Sequence, residues 1–240
     1  MNTNTPESNS EPTKIASKPS SPRRRFRALL FNFRKAARYV LASTLYDENT
    51  VGEYFRSQGA NVGFGCRIFI RHLGDEPYLV KIGDHVTIAA GVTFITHDGG
   101  AWIGRLDVPD LQVFGPITIG NNCVIGQNAI LFPNITIGDN CIVGAGSVVI
   151  SDIPPNTLAM GVPARPFGSV NKYLTKCVER WSIQKPPDVV IESGADWWNS
   201  RNYNNNRIKL KKHLTSLFSA NAYTQNNESK KADGQTTPGV

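Results

Sequence analysis

Residues 117–153 read ITIGNNCVIGQNAILFPNITIGDNCIVGAGSVVISDI, and one kind of residue returns at every sixth place. From Ile119 the sixth residues are Ile125, Leu131, Ile137, Val143 and Val149, and Ile82, Ile88 and Phe94 repeat the spacing upstream. All nine are large and apolar. The neighbouring columns are ordered too. Gly83, Ala89, Gly120, Gly126, Gly138 and Gly144 follow the aliphatics, and Val86, Val92, Cys123, Ala129, Ile135, Cys141 and Ser147 come three residues later.

Such a period is neither the 3.6 of a helix nor the 2 of a flat strand. It fits a prism whose sides consume six residues each, with three sides to a coil of eighteen. Each aliphatic points inward and stacks on its counterpart one coil on, Ile119 on Ile137 and Ile125 on Val143, about 4.8 Å apart. The small residues let the chain turn the corners, with glycine easing the backbone. One coil cannot cover its own inner face, so several must stack. About four or five are available: an irregular one around Val62–Ile70, a loop near Arg71–Tyr78, a resumption at Val80–Thr96, an excursion at Asp98–Gly115, and an unbroken run Ile117–Ile153. Cys123 and Cys141 are eighteen apart and read as small buried fillers, because side chains in parallel register point the same way and do not form a disulfide.

The chain has 240 residues and a net charge of +7. That charge sits at the front: Lys14, Lys18, Arg23, Arg24, Arg25, Arg27, Arg34, Lys35 and Arg38 face only Glu7 and Glu11 within the first 45 residues. The remainder balances at 17 against 17, which argues against a nucleic-acid-reading face on the body. Four scattered cysteines without a CxxC pair indicate neither a zinc knuckle nor a secreted disulfide scaffold. With no apolar leader and no run of about 18 apolar residues, a cytoplasmic location is expected.

His97 stands in Phe94-Ile95-Thr96-His97-Asp98-Gly99-Gly100, where the repeat stops and a loop departs. A core histidine would replace an inward aliphatic, whereas His97 lies three residues past one, near a corner. The hexad columns resemble the left-handed β-helix acyltransferases, and Thr-His-Asp-Gly-Gly followed by Trp102 is similar to the motif of the polysaccharide and sugar O-acetyltransferases in that hexapeptide-repeat family. The resemblance covers roughly residues 60–168. It implies the left-handed winding, an acetyl-CoA co-substrate, a homotrimer with sites between subunits, and His97 as the general base for a sugar hydroxyl. The other imidazole nitrogen then needs a partner, Asp98 or a backbone carbonyl.

Trp102 and Arg105, in the excursion, are the candidates for holding a saccharide acceptor, Trp102 reading equally as a large side chain that anchors the loop to the prism. Gly144-Ala145-Gly146-Ser147-Val148-Val149 into Asp152-Ile153-Pro154-Pro155, then Gly161-Val162-Pro163-Ala164-Arg165, resembles the acetyl-CoA end of the family. Carried over by motif position, Gln127, Ala145, Ile150, Ser151 and Arg165 are the cofactor contacts. Relatives often carry Thr-Lys where this chain has Ile150-Ser151, which places more of the phosphate load on Arg165.

The expected fold is therefore an all-β, left-handed parallel β-helix over residues 59–168, with an active-site loop at 98–115. A disordered polar tail (1–22) and a basic amphipathic helix with its extension (23–58) precede it; a C-terminal helix and a partly disordered tail (169–240) follow. The basic helix, with Phe26, Leu29, Leu30, Phe33, Ala37, Val40 and Leu41 at helical spacing, fits either peripheral contact at the inner membrane face through residues 23–41 or a cap on the open prism. Three alternatives compete with sugar O-acetylation. They are N-acetylation of an amino-sugar nucleotide, a zinc hydratase resembling the γ-type carbonic anhydrases, and a non-catalytic β-helix subunit. The zinc reading needs three converging histidines, and His72, His85 and His97 lack the spacing for it, so no metal is expected.

Overall fold

Each prism side buries its inward apolar residue and the residue two places before it, as Cys123 precedes Ile125 and Ala129 precedes Leu131, so the hexad region forms very short strands separated by tight corners. In the computed structural model, which describes residues 22–189 and 203–219, these are β1 (Asn61–Val62), β2 (Arg67–Ile68), β3 (Val80–Ile82), β4 (Thr87–Ile88), β5 (Thr93–Phe94), β6 (Ile117–Ile119), β7 (Val124–Ile125), β8 (Ile130–Leu131), β9 (Ile135–Ile137), β10 (Ile142–Val143) and β11 (Val148–Val149), closed by β12 (Thr157–Gly161) and β13 (Ala164–Ser169). The polar tail expected to be disordered, the Trp197-Trp198 pair and the final residues lie outside the described residues.

The strands stack into three sheets, one per prism side: β1-β3-β6-β9, β2-β4-β7-β10-β12-β13 and β5-β8-β11. Pairing is parallel except for β12 with β13, an antiparallel hairpin that ends the second sheet. Ile119 pairs with Ile137 and Ile125 with Val143, the stacking that the eighteen-residue coil requires. The ends deviate. Val62 pairs with Ile82, twenty residues on, and Val143 pairs with Ala159, only sixteen on. All nine phased aliphatics are buried, none more than 4% exposed, and each such side chain contributes about 1.5–3 kcal/mol relative to exposure. Cys123 and Cys141 are free, buried thiols in the same stack.

Glycine makes some of the corners, Gly65, Gly91 and Gly146, with φ of +66°, +74° and +69°, but not at the column that follows the aliphatics. Gly83, Gly120 and Gly138 keep ordinary backbone angles and are small for another reason. A Cβ on Gly83 would stand 2.6 Å from Asn121 Oδ1, and one on Gly138 would stand 2.6 Å from the Pro155 nitrogen, so glycine lets the next coil pass. The other left-handed corners are His85, Asn122, Asn128, Asn134, Asn140 and Asn156, with φ between +54° and +62°. Asparagine tolerates that region better than most residues. Along the edge between the first and second sheets these side chains form a ladder: Asn122 bonds His85 at 2.8 Å and Asn140 at 2.8 Å, and Asn140 bonds Asn156 at 3.3 Å.

Among the described residues four α-helices flank the prism, so the all-β description fits the prism alone. α1 (Pro22–Leu45) is followed by α2 (Val51–Ser57), which buries Val51 and Phe55 and covers the first coil. α3 (Val170–Gln184) starts where the Ser169 hydroxyl accepts the Lys172 N–H at 3.3 Å. α4 (Tyr203–Leu217) is tied back by Lys209 to Asp188 at 3.0 Å. Among the described residues no helix is long and apolar enough to cross a membrane.

Candidate active site

Two segments interrupt the hexad repeat, and both leave from the same side of the prism. The loop 71–79 replaces the third side of the first coil, before β3, and the excursion 98–115 departs after β5, before β6. Successive coils are neighbours, so the two interruptions meet. Gly74, at φ +79°, brings the first loop so near the second coil that a Cβ there would stand 2.7 Å from the Thr96 hydroxyl oxygen. Two residues on, Glu76 Oε2 accepts the Thr96 hydroxyl at 2.6 Å and lies 3.0 Å from His97 Nδ1.

This pair differs in exposure: the Glu76 side chain is 13% exposed and that of His97 45%. A carboxylate at Nδ1 accepts its N–H, which keeps the lone pair of a neutral imidazole on Nε2. Buried Thr96 supplies the carboxylate oxygen with a second donor. Asp98, the residue expected beside the imidazole, is used elsewhere. Its Oδ1 accepts the Gly100 N–H at 2.8 Å and caps the 3-10 turn Gly99–Leu106.

The excursion is stapled where it leaves. The Asp98 N–H donates to Val113 O at 2.8 Å and the Gly115 N–H to Thr96 O at 3.0 Å, an antiparallel bridge that sets Phe114 opposite His97. Their rings meet edge to face at 6.3 Å. Further out, the Arg105 guanidinium sits over the Trp102 ring at 5.2 Å, and Arg105 Nε donates to Leu111 O at 2.8 Å. Trp102 is 70% exposed, so it does not anchor the loop to the prism.

The five residues carried over as cofactor contacts are exposed, except that they fall on different edges. Gln127 and Ala145 stack at the corner between the second and third sheets, where Gly146 N–H donates to Gln127 O at 2.8 Å. Ile150 and Ser151 follow β11 at the opposite edge of the third sheet, the edge that also carries His97 one coil pair away. Arg165 stands on β13 in the terminal hairpin. The three histidines do not converge: His72 pairs with Asp75 at 3.5 Å, His85 with Asn122, and His97 with Glu76. No group of three potential metal ligands occurs among the described residues.

Residues 116–151 match the family model described as the hexapeptide repeat of succinyl-transferase. Protein CapG of Staphylococcus aureus is 42% identical over 182 residues, spanning 75% of this chain and 95% of that protein. The chain belongs to the hexapeptide-repeat acyltransferase family. Galactoside O-acetyltransferase of Escherichia coli is 41% identical to this acyltransferase over 133 residues, 51% of this chain and 64% of that one. A solved hexapeptide-repeat-containing acetyltransferase from Vibrio cholerae, 22% identical, aligns with a TM-score of 0.48 over 60% of this chain and 93% of that one.

The family-model match contains Gln127, Ala145, Ile150 and Ser151 but stops short of His97 and Glu76. Sequence reasoning missed Glu76, Thr96 and Phe114 as members of the site. A signal for Glu76 was present: both breaks in the repeat precede strands of the first sheet, one coil apart, which places the two loops side by side.

Proposed function

We propose that this acyltransferase moves an acetyl group from acetyl-CoA to a hydroxyl of a sugar in a bacterial polysaccharide of the capsule, lipopolysaccharide or exopolysaccharide kind. The observation that carries the reading is the carboxylate at His97 Nδ1, which fixes the tautomer that a general base requires. Nε2 accepts the proton of the acceptor hydroxyl while the oxygen forms its bond to the thioester carbonyl carbon. The resulting oxyanion is stabilised by N–H donors. As the carbon–sulfur bond breaks, the imidazolium returns its proton to the departing thiolate. The products are an O-acetyl ester and the free thiol, with no acyl-enzyme between them.

Trp102 and Arg105 fit the acceptor side. An exposed indole offers a sugar its apolar face, and Arg105 stiffens it from behind while keeping hydrogen-bond donors at the loop. Gln127, Ala145, Ile150, Ser151 and Arg165 are proposed to hold acetyl-CoA. Their placement on separate edges of the prism supports a homotrimer in which one subunit's edge completes another's groove. The cytoplasm, where acetyl-CoA is available, is the compartment this chemistry needs.

The test is to supply purified protein with acetyl-CoA and a panel of saccharide acceptors, reading free thiol and locating the new ester by NMR. The reading expects saccharide-dependent thiol release that His97→Ala abolishes. Transfer undiminished in that variant, or acetylation of amino groups alone, would overturn it.

A further inference from the structure

Every open prism needs a lid on its first coil, and α2 already provides it, with Val51 and Phe55 buried over β1. That leaves α1 with little of the core to cover beyond its buried Ala42. It is 24 residues and, at 1.5 Å per residue, about 36 Å long. At 100° per residue, Phe26, Leu29, Leu30, Phe33, Ala37, Val40 and Leu41 fall in one arc of about 120°. Phe31, Tyr39 and Ala42 lie on the opposite side. Phe31 and Tyr39 line a cavity of about 580 Å³ shared with Tyr54 and Leu73 of the body, and Ala42 is buried. The helix is therefore seated on the protein through Ala42 near its end, with Phe31 and Tyr39 at the rim of the cavity and still exposed, and its apolar stripe is left open, with Leu29 65% and Phe33 71% exposed.

We infer that this stripe docks on an anionic phospholipid surface. Charge selects the occupant. The helix carries seven basic residues, Arg23, Arg24, Arg25, Arg27, Arg34, Lys35 and Arg38, and no acidic one. Two copies of such a helix repel each other, whereas an anionic bilayer attracts the charge and accepts the stripe into its headgroup boundary. The helix cannot cross the bilayer, so it lies along it. The inference rests on the helix alone and does not depend on the acetyl-transfer reading.

The test is co-sedimentation of the full chain with vesicles of phosphatidylcholine, alone or with roughly a quarter phosphatidylglycerol. The expected result is binding at least about tenfold stronger to the anionic vesicles, and loss of that preference in roughly 0.5 M salt, where the Debye length shrinks to a few ångströms. Two variants bracket the mechanism: Leu29→Ser with Phe33→Ser removes the stripe, and Arg27→Glu with Arg34→Glu inverts the charge. Each should lose at least about tenfold in vesicle binding while circular dichroism stays unchanged. Equal binding to both vesicle types, or binding to neither, overturns the proposal. So does a stripe variant whose mass in light scattering falls by whole subunits, which assigns the stripe to contact between copies of this chain.

Discussion

The unbroken coils from Ile117 to Ile153 and the interrupted edge holding Glu76, Thr96 and His97 are built from the same prism, yet they use residues in opposite ways. In the coils a position demands only a size and a direction: any inward aliphatic stacks, and any residue without a Cβ lets the next coil pass. At the interrupted edge the demand is chemical. One carboxylate oxygen meets a hydroxyl and an imidazole at once, in a spot that is neither core nor open solvent. Stability and reactivity are thus held in separate places, and substitutions should separate them.

The largest effect expected is on the reactive edge. His97→Ala should lower kcat/KM by about a thousandfold with little change in a urea midpoint, measured by thiol release and equilibrium unfolding. A large loss of stability instead would make His97 a structural residue and erase the contrast. Ile125→Ala is the mirror experiment. Removing a fully buried stack member should cost about 2–5 kcal/mol in urea unfolding while the kcat of the protein that remains folded is kept.

Glu76→Gln sharpens the picture of the edge. An amide can donate to Nδ1 and so favour the wrong tautomer, and kcat should fall by about ten- to a hundredfold with KM for acetyl-CoA unchanged. An equal loss in kcat and rise in KM would mean that Glu76 shapes the groove and does not orient the base. Within the coils, burial pushes the Cys123 thiol from 9.0 up to about 11. The native state holds a proton that the unfolded chain releases in that window, so stability present below about pH 9 should decline as pH rises toward 11. Replacing Cys123 by Ala should flatten that decline in urea midpoints taken across the window. The smallest effect belongs to Asp98→Ala, which removes a cap worth about 1 kcal/mol or less and should slow transfer far less than Glu76→Gln does.

How far the residues announced this arrangement varies by region. The register of Ile119, Ile125, Ile137 and Val143 is legible in the sequence, because an eighteen-residue coil makes each contact a fixed sequence offset. The corner residues were equally legible: Asn122, Asn128, Asn134 and Asn140 recur at every sixth residue and Gly146 continues the column, so asparagine and glycine share the corners. His97 was legible from its place at the end of a run. Its partner was not, since Asp98 is adjacent in sequence and Glu76 is adjacent only once two loops have left successive coils at one edge.

By itself, the sequence determined the repeat, the inward column and the histidine at the break, since each depends on spacing along a single stretch of chain. The tertiary structure decided that Glu76 and not Asp98 meets the imidazole, that α2 and not α1 closes the prism, and that α1 turns its apolar stripe outward. Those outcomes depend on which surfaces remain uncovered after the coils have stacked. No local pattern encodes that, because it is a property of the assembled fold.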